Sequence, residues 1–344
     1  MQPATLEAYL NTFASSGDPE RVQIGTIIRA FAAAALQIRR SINEGALGAA
    51  FAGERGANTD GDVQKDLDVY ADNAFIEASR NAGVGLYASE ELSNPVELDK
   101  DSRLAIAIDP LDGSSNIATN VSIGTIFSIL PRLDTPEATF SQPGNNQLAA
   151  GFFIYGPQLA LVLTKRNGTN IFVFSSRLGT FVEAYRKIAI PGQTSEFAIN
   201  ASNYRHWDEQ TRLYVDDCVS GSDGPREKDF NMRWIASLVA DTYRILIRGG
   251  VFLYPRDGRK GYSQGRLRLV YEANPIALLI EQAGGEATDG VRRILDLVPT
   301  GLHQRTPLAF GSSREVDKYK RYHDNPSAIG NRHPLFGNRG LFRA

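Results

Sequence analysis

From residue 85 to residue 174 the chain is cut into short apolar runs, at 85–89, 103–108, 123–130, 151–155, 159–163 and 171–174, each with turn-rich flanks. Runs of this length and texture read as strands. Ahead of them, Ile24, Ile27, Ile28, Phe31, Ala35, Ile38 and Ile42 recur at helical spacing over 21–43, with Pro19 suited to a first turn and Gly45 to a stop. Residues 58–61 read as a loop, and a second helix is expected over 62–81. Beyond Ile190-Pro191-Gly192 the pattern turns helix-rich: 206–219, 231–247 and 274–284 read as helices, with one strand at Phe252-Leu253-Tyr254. The expected fold is a layered α/β protein in two connected halves, 1–190 and 191–344.

Composition restricts the partners. Of 344 residues, 42% are apolar and 22% charged, the balance of a soluble globular protein. A net charge of −2 gives no overall attraction to nucleic acid or to an anionic membrane, so an anionic ligand must be captured by local cations or metal. Cys218 is the sole cysteine, which excludes an internal disulfide and a Cys/His zinc cluster. Met1 to Leu10 lack the basic start and apolar core of a signal peptide, and no run approaches transmembrane length, so a reducing cytoplasm is expected.

The residues that carry chemistry gather beside the expected strands. Glu90 and Glu91 follow the run ending at Ser89, Asp109 closes the run 103–108, and Asp112 comes one turn later. Asp62 and Asp68 lie upstream, and Glu272 follows Leu269-Val270-Tyr271 far downstream. Strand ends of open α/β sheets are where ligands usually sit. Crowded carboxylates repel and resist desolvation, whereas Mg2+ or Mn2+ takes oxygen donors; for any single carboxylate a solvated acidic rim is the plainer alternative. In Ile108-Asp109-Pro110-Leu111-Asp112-Gly113-Ser114-Ser115-Asn116 a strand delivers one carboxylate and a Pro turn presents another. Gly-Ser-Ser-Asn then opens a short helix whose N–H groups suit a phosphate, or else forms an Asx-type turn with a helix cap.

Other chemistries fit less well. The stretch from Asp60 begins like an EF-hand loop, but Lys65 and Ala71 hold the positions that need Gly and Glu. No Gly-x-Ser-x-Gly elbow, Walker A or dinucleotide fingerprint is present, and adjacent Glu90 and Glu91 do not by themselves give the opposed carboxylates of a glycosidase. His206, His303, His323 and His333 are scattered and read as structural or surface residues.

Taken together, Gly61-Asp62-Val63-Gln64-Lys65 with Leu67-Asp68, Ser89-Glu90-Glu91, Asp109 to Asn116 and Val121-Ser122-Ile123-Gly124-Thr125-Ile126-Phe127 resemble the class I fructose-1,6-bisphosphatase family. Phe197-Ala198-Ile199-Asn200, Gly249-Gly250-Val251-Phe252-Leu253-Tyr254-Pro255, Leu267-Arg268-Leu269 with Tyr271-Glu272, and His303-Gln304-Arg305 continue the resemblance. It implies a layered α-β-α-β-α fold and a homotetramer acting on a sugar bisphosphate, with the AMP-type region in the first half and sugar-phosphate binding in the second. It further implies that Glu90, Asp109, Asp112, Glu272, the Leu111 carbonyl and Asp62 hold Mg2+ (Mn2+ as the alternative). Asp68 and Glu91, with Glu90, would serve the attacking water; Asp112, Gly113, Ser114 and Ser115 would receive the 1-phosphate. Asn200, Tyr254, Arg266 and, across a subunit interface, Arg233 would hold the sugar and the 6-phosphate. The chain departs from the family pattern at Arg266 (often Lys), Trp234 (often Tyr) and Asn203-Tyr204, which leaves sedoheptulose 1,7-bisphosphate open as a second substrate. A sugar-phosphate-binding protein without catalysis is the remaining alternative, opposed by retention of every metal and water-activating position. AMP-regulated relatives bind the nucleotide phosphate with Gly-Thr-Gly-Glu-x-Thr, where this chain reads Ser16-Gly17-Asp18-Pro19-Glu20-Arg21. Weak or absent AMP inhibition is implied. The stretch 335–343 is expected to be an ordered or docking tail without chemistry.

Overall fold

The computed structural model describes residues 4–51, 60–117 and 119–324, with only the backbone at 45–51 and 60–66. Asn58, His333 and the tail 335–343 lie outside the described residues, as does the side chain of Asp62. Helices α1 (Leu6–Ala14), α2 (Pro19–Phe51) and α3 (Asp60–Asn81) precede an eight-stranded sheet. Its strands are β1 (Leu86–Ser89), β2 (Val96–Glu97), β3 (Leu104–Asp112), β4 (Ile123–Pro131), β5 (Ala149–Tyr155), β6 (Leu159–Thr164), β7 (Thr169–Ser175) and β8 (Thr180–Ile188). They lie in the order β2-β1-β3-β4-β5-β6-β7-β8, and within this sheet only β1 and β3 pair in parallel. The isoleucine stripe of α2 does what its spacing predicts. Ile24, Ile27, Ile28 and Phe31 are buried against the sheet, where Phe31 meets Phe75 at 5.0 Å and Phe127 at 5.2 Å.

After α4 (Pro136–Phe140) the chain builds β9 (Glu196–Ala198), α5 (Glu209–Val219), β10 (Asn231–Met232), α6 (Leu238–Arg248) and β11 (Val251–Tyr254). There follow β12 (Leu267–Arg268), α7 (Asn274–Gln282), β13 (Glu286–Thr288), β14 (Arg305–Thr306), β15 (Leu308–Gly311) and α8 (Ser313–Asp324). A second sheet has the order β10-β9-β11-β15-β13, and β12 pairs with β14 apart from it. α6 and α7 pack between the two large sheets, while α5 and α8 cover the far face of the second. The layers are therefore α-β-α-β-α, as the resemblance implies.

Several local expectations are corrected. α2 runs through Gly45 to Phe51, because one helical glycine costs only about 1 kcal/mol against alanine. Asp60 and Gly61 are already helical. The second half is helix-rich as expected but carries a sheet of its own as well. Residues 231–232 pair with Glu196 and Phe197 as an edge strand, Ala236 takes a left-handed turn (φ 67°), and the helix starts only after the Ser237 cap. Likewise 201–206 is a short 3-10 turn, and α5 begins after Asp208, whose side chain accepts from Thr211 N. Asp112 stands at the end of a bulged strand, where a Pro turn was expected; the bulge between Asp109 and Asp112 lets Pro110 sit in the strand.

Candidate active site

β3 is buried along its whole length, and its bulge turns both Asp109 and Asp112 into one pocket. Glu272 reaches the same pocket from a π-helical turn, Leu269–Ala273, that feeds α7; the sequence had suggested a strand end there. One carboxylate oxygen from each of the three lies within 4.8 Å of the others, with the residues only 3%, 8% and 6% exposed. Leu111 sits between the two aspartates and donates its N–H to Asp109 Oδ1 at 3.1 Å. Glu90, at the exit of the neighbouring β1, is hydrogen-bonded to Asp109 and pairs with Arg268 Nη1 at 2.8 Å. The backbone N–H of Arg268 also donates to Glu272 at 2.5 Å.

Downstream of Asp112, Gly113 has φ +75°, a left-handed conformation that glycine adopts without strain. It caps the short turn Ser114–Asn116, and the Ser114 side chain hydrogen-bonds Asp68, which α3 brings over the pocket. Asn116 Nδ2 donates to Ala236 O at 2.8 Å, and Val239 N on α6 donates to Asp112 Oδ2 at 3.3 Å. The second half of the chain thus supports the Gly113 turn directly. Gly124 makes this approach possible: a Cβ there would lie 2.7 Å from both Val239 methyls and 2.3 Å from Phe153 O.

Electrostatics record the crowding. Burial, then Glu90, Asp112 and Glu272, drive the Asp109 carboxyl well above its usual range. Burial is also the first cause for Glu272, raised far up, and for Asp112, pushed to about 7 against the opposing Val239 hydrogen bond. Asp68 rises to about 6, chiefly by burial. Glu91 rises to about 7 although the residue as a whole is exposed: its carboxyl loses solvation and faces Asp68, Glu90 and Asp72. Asp68 Oδ1, Arg268 Nε and the Tyr271 hydroxyl are buried here without a hydrogen-bond partner among the described residues. Buried polar atoms are normally paired, so these orphans, together with an all-oxygen donor set, fit hard divalent cations and a phosphate.

A pH dependence follows. In the metal-free fold these carboxyls hold protons that the unfolded chain has already released. Their stabilisation is present below the unfolded values near 4 and is lost as pH rises through about 6–7. The metal-free Tm should therefore fall between about pH 5 and pH 8, and Mg2+ should raise Tm more at the higher pH. Thermal scans with and without Mg2+ read this out; a metal-free Tm that climbs across the interval contradicts it.

Tyr254 closes β11, and its hydroxyl pKa is raised chiefly by burial, with Arg266 and Glu272 each close enough to act on it. The Arg266 guanidinium lies over the Tyr262 ring at 4.7 Å, and Trp234 stacks on Phe252 at 5.5 Å beside Tyr254. Asn200 and Arg233 are engaged within the second half. Asn200 Oδ1 accepts from Ser202 Oγ at 2.6 Å, and Arg233 binds Glu196 at 3.3 Å, a carboxylate shared with Arg244 and Arg248. Sequence reasoning missed Glu196, the α6 N–H on Asp112, and the pairing of Arg268 with Glu90; Arg268 lies in the motif Leu267-Arg268-Leu269, but its partner is not local.

Comparison with known proteins shows the family and the fold. The family model Fructose-1-6-bisphosphatase, N-terminal domain, matches residues 6–186, and Fructose-1-6-bisphosphatase, C-terminal domain, matches 190–324. Class 1 fructose-1,6-bisphosphatases of Rhizobium meliloti (strain 1021) and Sinorhizobium medicae (strain WSM419) are 66% and 63% identical, each covering 100% of both chains. The crystal structure of Leishmania major fructose-1,6-bisphosphatase in holo form has a TM-score of 0.82 at 32% identity, covering 94% of this chain and 100% of that one. Fold and relatives define a phosphoric monoester hydrolase. The chain belongs to the class 1 fructose-1,6-bisphosphatase family.

Proposed function

We infer that the chain hydrolyses the 1-phosphate of fructose 1,6-bisphosphate to give fructose 6-phosphate and phosphate. The observation that carries the site assignment is the buried Asp109–Asp112–Glu272 cluster, set beside the left-handed Gly113 turn. Glu90, Asp109, the Leu111 carbonyl, Asp112 and Glu272, with Asp62, would hold Mg2+ or Mn2+. Bound there, the cations neutralise phosphoryl charge and lower the pKa of a water. Gly113, Ser114 and Ser115 receive the 1-phosphate, with Asp112 on its edge. Asp68 and Glu91, with raised pKa values in the same pocket, accept the proton of the attacking water. Tyr254 and Arg266, with Asn200 and the interface residue Arg233, take the sugar and the 6-phosphate. Residues 1–190 supply the acidic motifs apart from Glu272, and 191–344 supply Glu272 and the sugar side.

Trp234, whose ring lies against Tyr254 at 5.9 Å, stands where the family often has Tyr, and sedoheptulose 1,7-bisphosphate is therefore the second substrate to test. Phosphate release from both sugars, with and without Mg2+, tests the whole reading: Mg2+-dependent release from fructose 1,6-bisphosphate is expected, and none from either sugar refutes it. A cytoplasmic homotetramer serving gluconeogenesis or a carbon-fixation cycle fits this reaction. Among the described residues no helix is long and apolar enough to cross a membrane.

AMP should inhibit weakly or not at all. At the start of α2, Asp18 Oδ1 accepts from Glu20 N at 3.1 Å, so a carboxylate already occupies the helix N-terminus where a nucleotide phosphate would bind. Pro19 offers no N–H there. A dose–response curve at saturating Mg2+ checks this, and half-inhibition at low-micromolar AMP would overturn it.

A further inference from the structure

One buried acid in this region is absent from the roles above. Asp72 follows Asp68 by one turn of α3 and is 5% exposed. Its carboxylate accepts the Tyr87 hydroxyl at 2.8 Å and is hydrogen-bonded by the Ser89 side chain. Tyr87 and Ser89 are themselves fully buried on β1. The Ser89 oxygen in turn accepts the backbone N–H of Glu91 at 3.2 Å. An amide N–H can only donate, so Ser89 Oγ accepts from Glu91, while its own hydroxyl faces both Asp72 and Tyr87. The last bond of the sheet ladder on this strand is Glu90 N to Ile108 O at 3.0 Å, so Glu91 is the first residue beyond the sheet's hold. Burying a carboxylate against two hydroxyls is a poor way to stabilise a helix face, where an apolar residue would pack without desolvation cost.

We propose that Asp72 is a positioning residue for Glu91, acting through the Ser89 hydroxyl, with Tyr87 holding the Asp72 carboxylate in place. The proposal rests on the reading of Glu91 as a group that serves the attacking water. Without Asp72 the Ser89 hydroxyl loses its orientation, and the Glu90–Glu91 turn loses the side-chain bond that ties it to α3.

The test uses full-length Asp72→Ala, Ser89→Ala, Tyr87→Phe and the Asp72→Ala/Ser89→Ala double variant. Hydrogen–deuterium exchange of the metal-free protein should show faster exchange at the Glu91 amide in Asp72→Ala and in Ser89→Ala. With saturating Mg2+, kcat should fall about 10- to 100-fold while KM stays within about twofold, the range typical of groups that orient catalytic residues. The double variant should be no slower than the worse single variant, since both changes cut one relay. Tyr87→Phe keeps the ring and removes only the hydroxyl, so it gives a smaller loss of kcat and carries the test if Asp72→Ala does not fold. Wild-type kcat and Glu91 exchange in Tyr87→Phe, or losses that multiply in the double variant, overturn the proposal. A wild-type kcat in Glu91→Gln would instead remove the role of Glu91, while the exchange data would still judge the Asp72–Ser89–Glu91 link.

Discussion

Replacing Asp109 by alanine should lower kcat by about 10³-fold or more with fructose 1,6-bisphosphate and Mg2+ both saturating, a loss on the scale of a removed transition-state contact or larger. Asp109 sits at the bulge of β3, where the chain cannot offer a substitute donor: its neighbours Pro110 and Leu111 have no polar side chain. Exhaustive chelation should abolish turnover in the parent protein, and Mg2+ should restore it. The effect on the metal-free fold should be small. Asp109 is a buried carboxyl crowded by Glu90, Asp112 and Glu272, so its removal relieves the metal-free fold while giving up the Leu111 and Glu90 hydrogen bonds. The metal-free Tm of Asp109→Ala should accordingly stay near that of the parent, and the rise in Tm on adding Mg2+ should shrink. A variant that simply misfolds would lose both. Full turnover in EDTA after metal removal would defeat the metal assignment for the whole cluster.

How much of this was legible in the sequence depends on where each contact closes. Asp109, Leu111, Asp112, Gly113 and Ser114 fall in one short stretch, so a strand followed by a glycine turn brings them together whatever the rest of the chain does. Glu90 and Glu91 were equally legible, because β1 lies beside β3 and its end is marked by the change from Leu-Tyr-Ala-Ser to acids. Glu272 was singled out with the other acids, but its route into the pocket was misread: apolar Leu-Val-Tyr reads as leading to a strand end, and packing of α7 between the sheets makes it a π-helical turn. Nothing local announces that Val239 N–H reaches Asp112 from 127 residues away, or that Glu196 gathers three arginines. Short edge strands such as Asn231–Met232 were lost for the same reason, since pairing with β9 decides them and their own residues are exposed.

Glu91→Gln should lower kcat by about 10²- to 10⁴-fold while KM changes little, the range for losing a general base. The amide matches the carboxylate in shape, so the turn after β1 and its Ser89 hydrogen bond should persist. What disappears is the capacity to accept a proton. Glu91 has the raised pKa that task requires, about 7 in the metal-free fold, set first by lost solvation and then by Asp68, Glu90 and Asp72. Cations held by the neighbouring carboxylates would favour the charged form and move that value down. The sign is definite: a base must be deprotonated, so kcat in the parent rises with pH through this value and levels off above it. In Glu91→Gln the acid limb should flatten, or pass to Asp68, whose carboxyl rises to about 6 in the same pocket and keeps its Ser114 hydrogen bond. Double replacement of Asp68 and Glu91 should then leave a pH-independent residue of activity across the acid range. A folded Glu91→Gln protein with parental kcat and an unchanged acid limb would place proton acceptance on Asp68 alone.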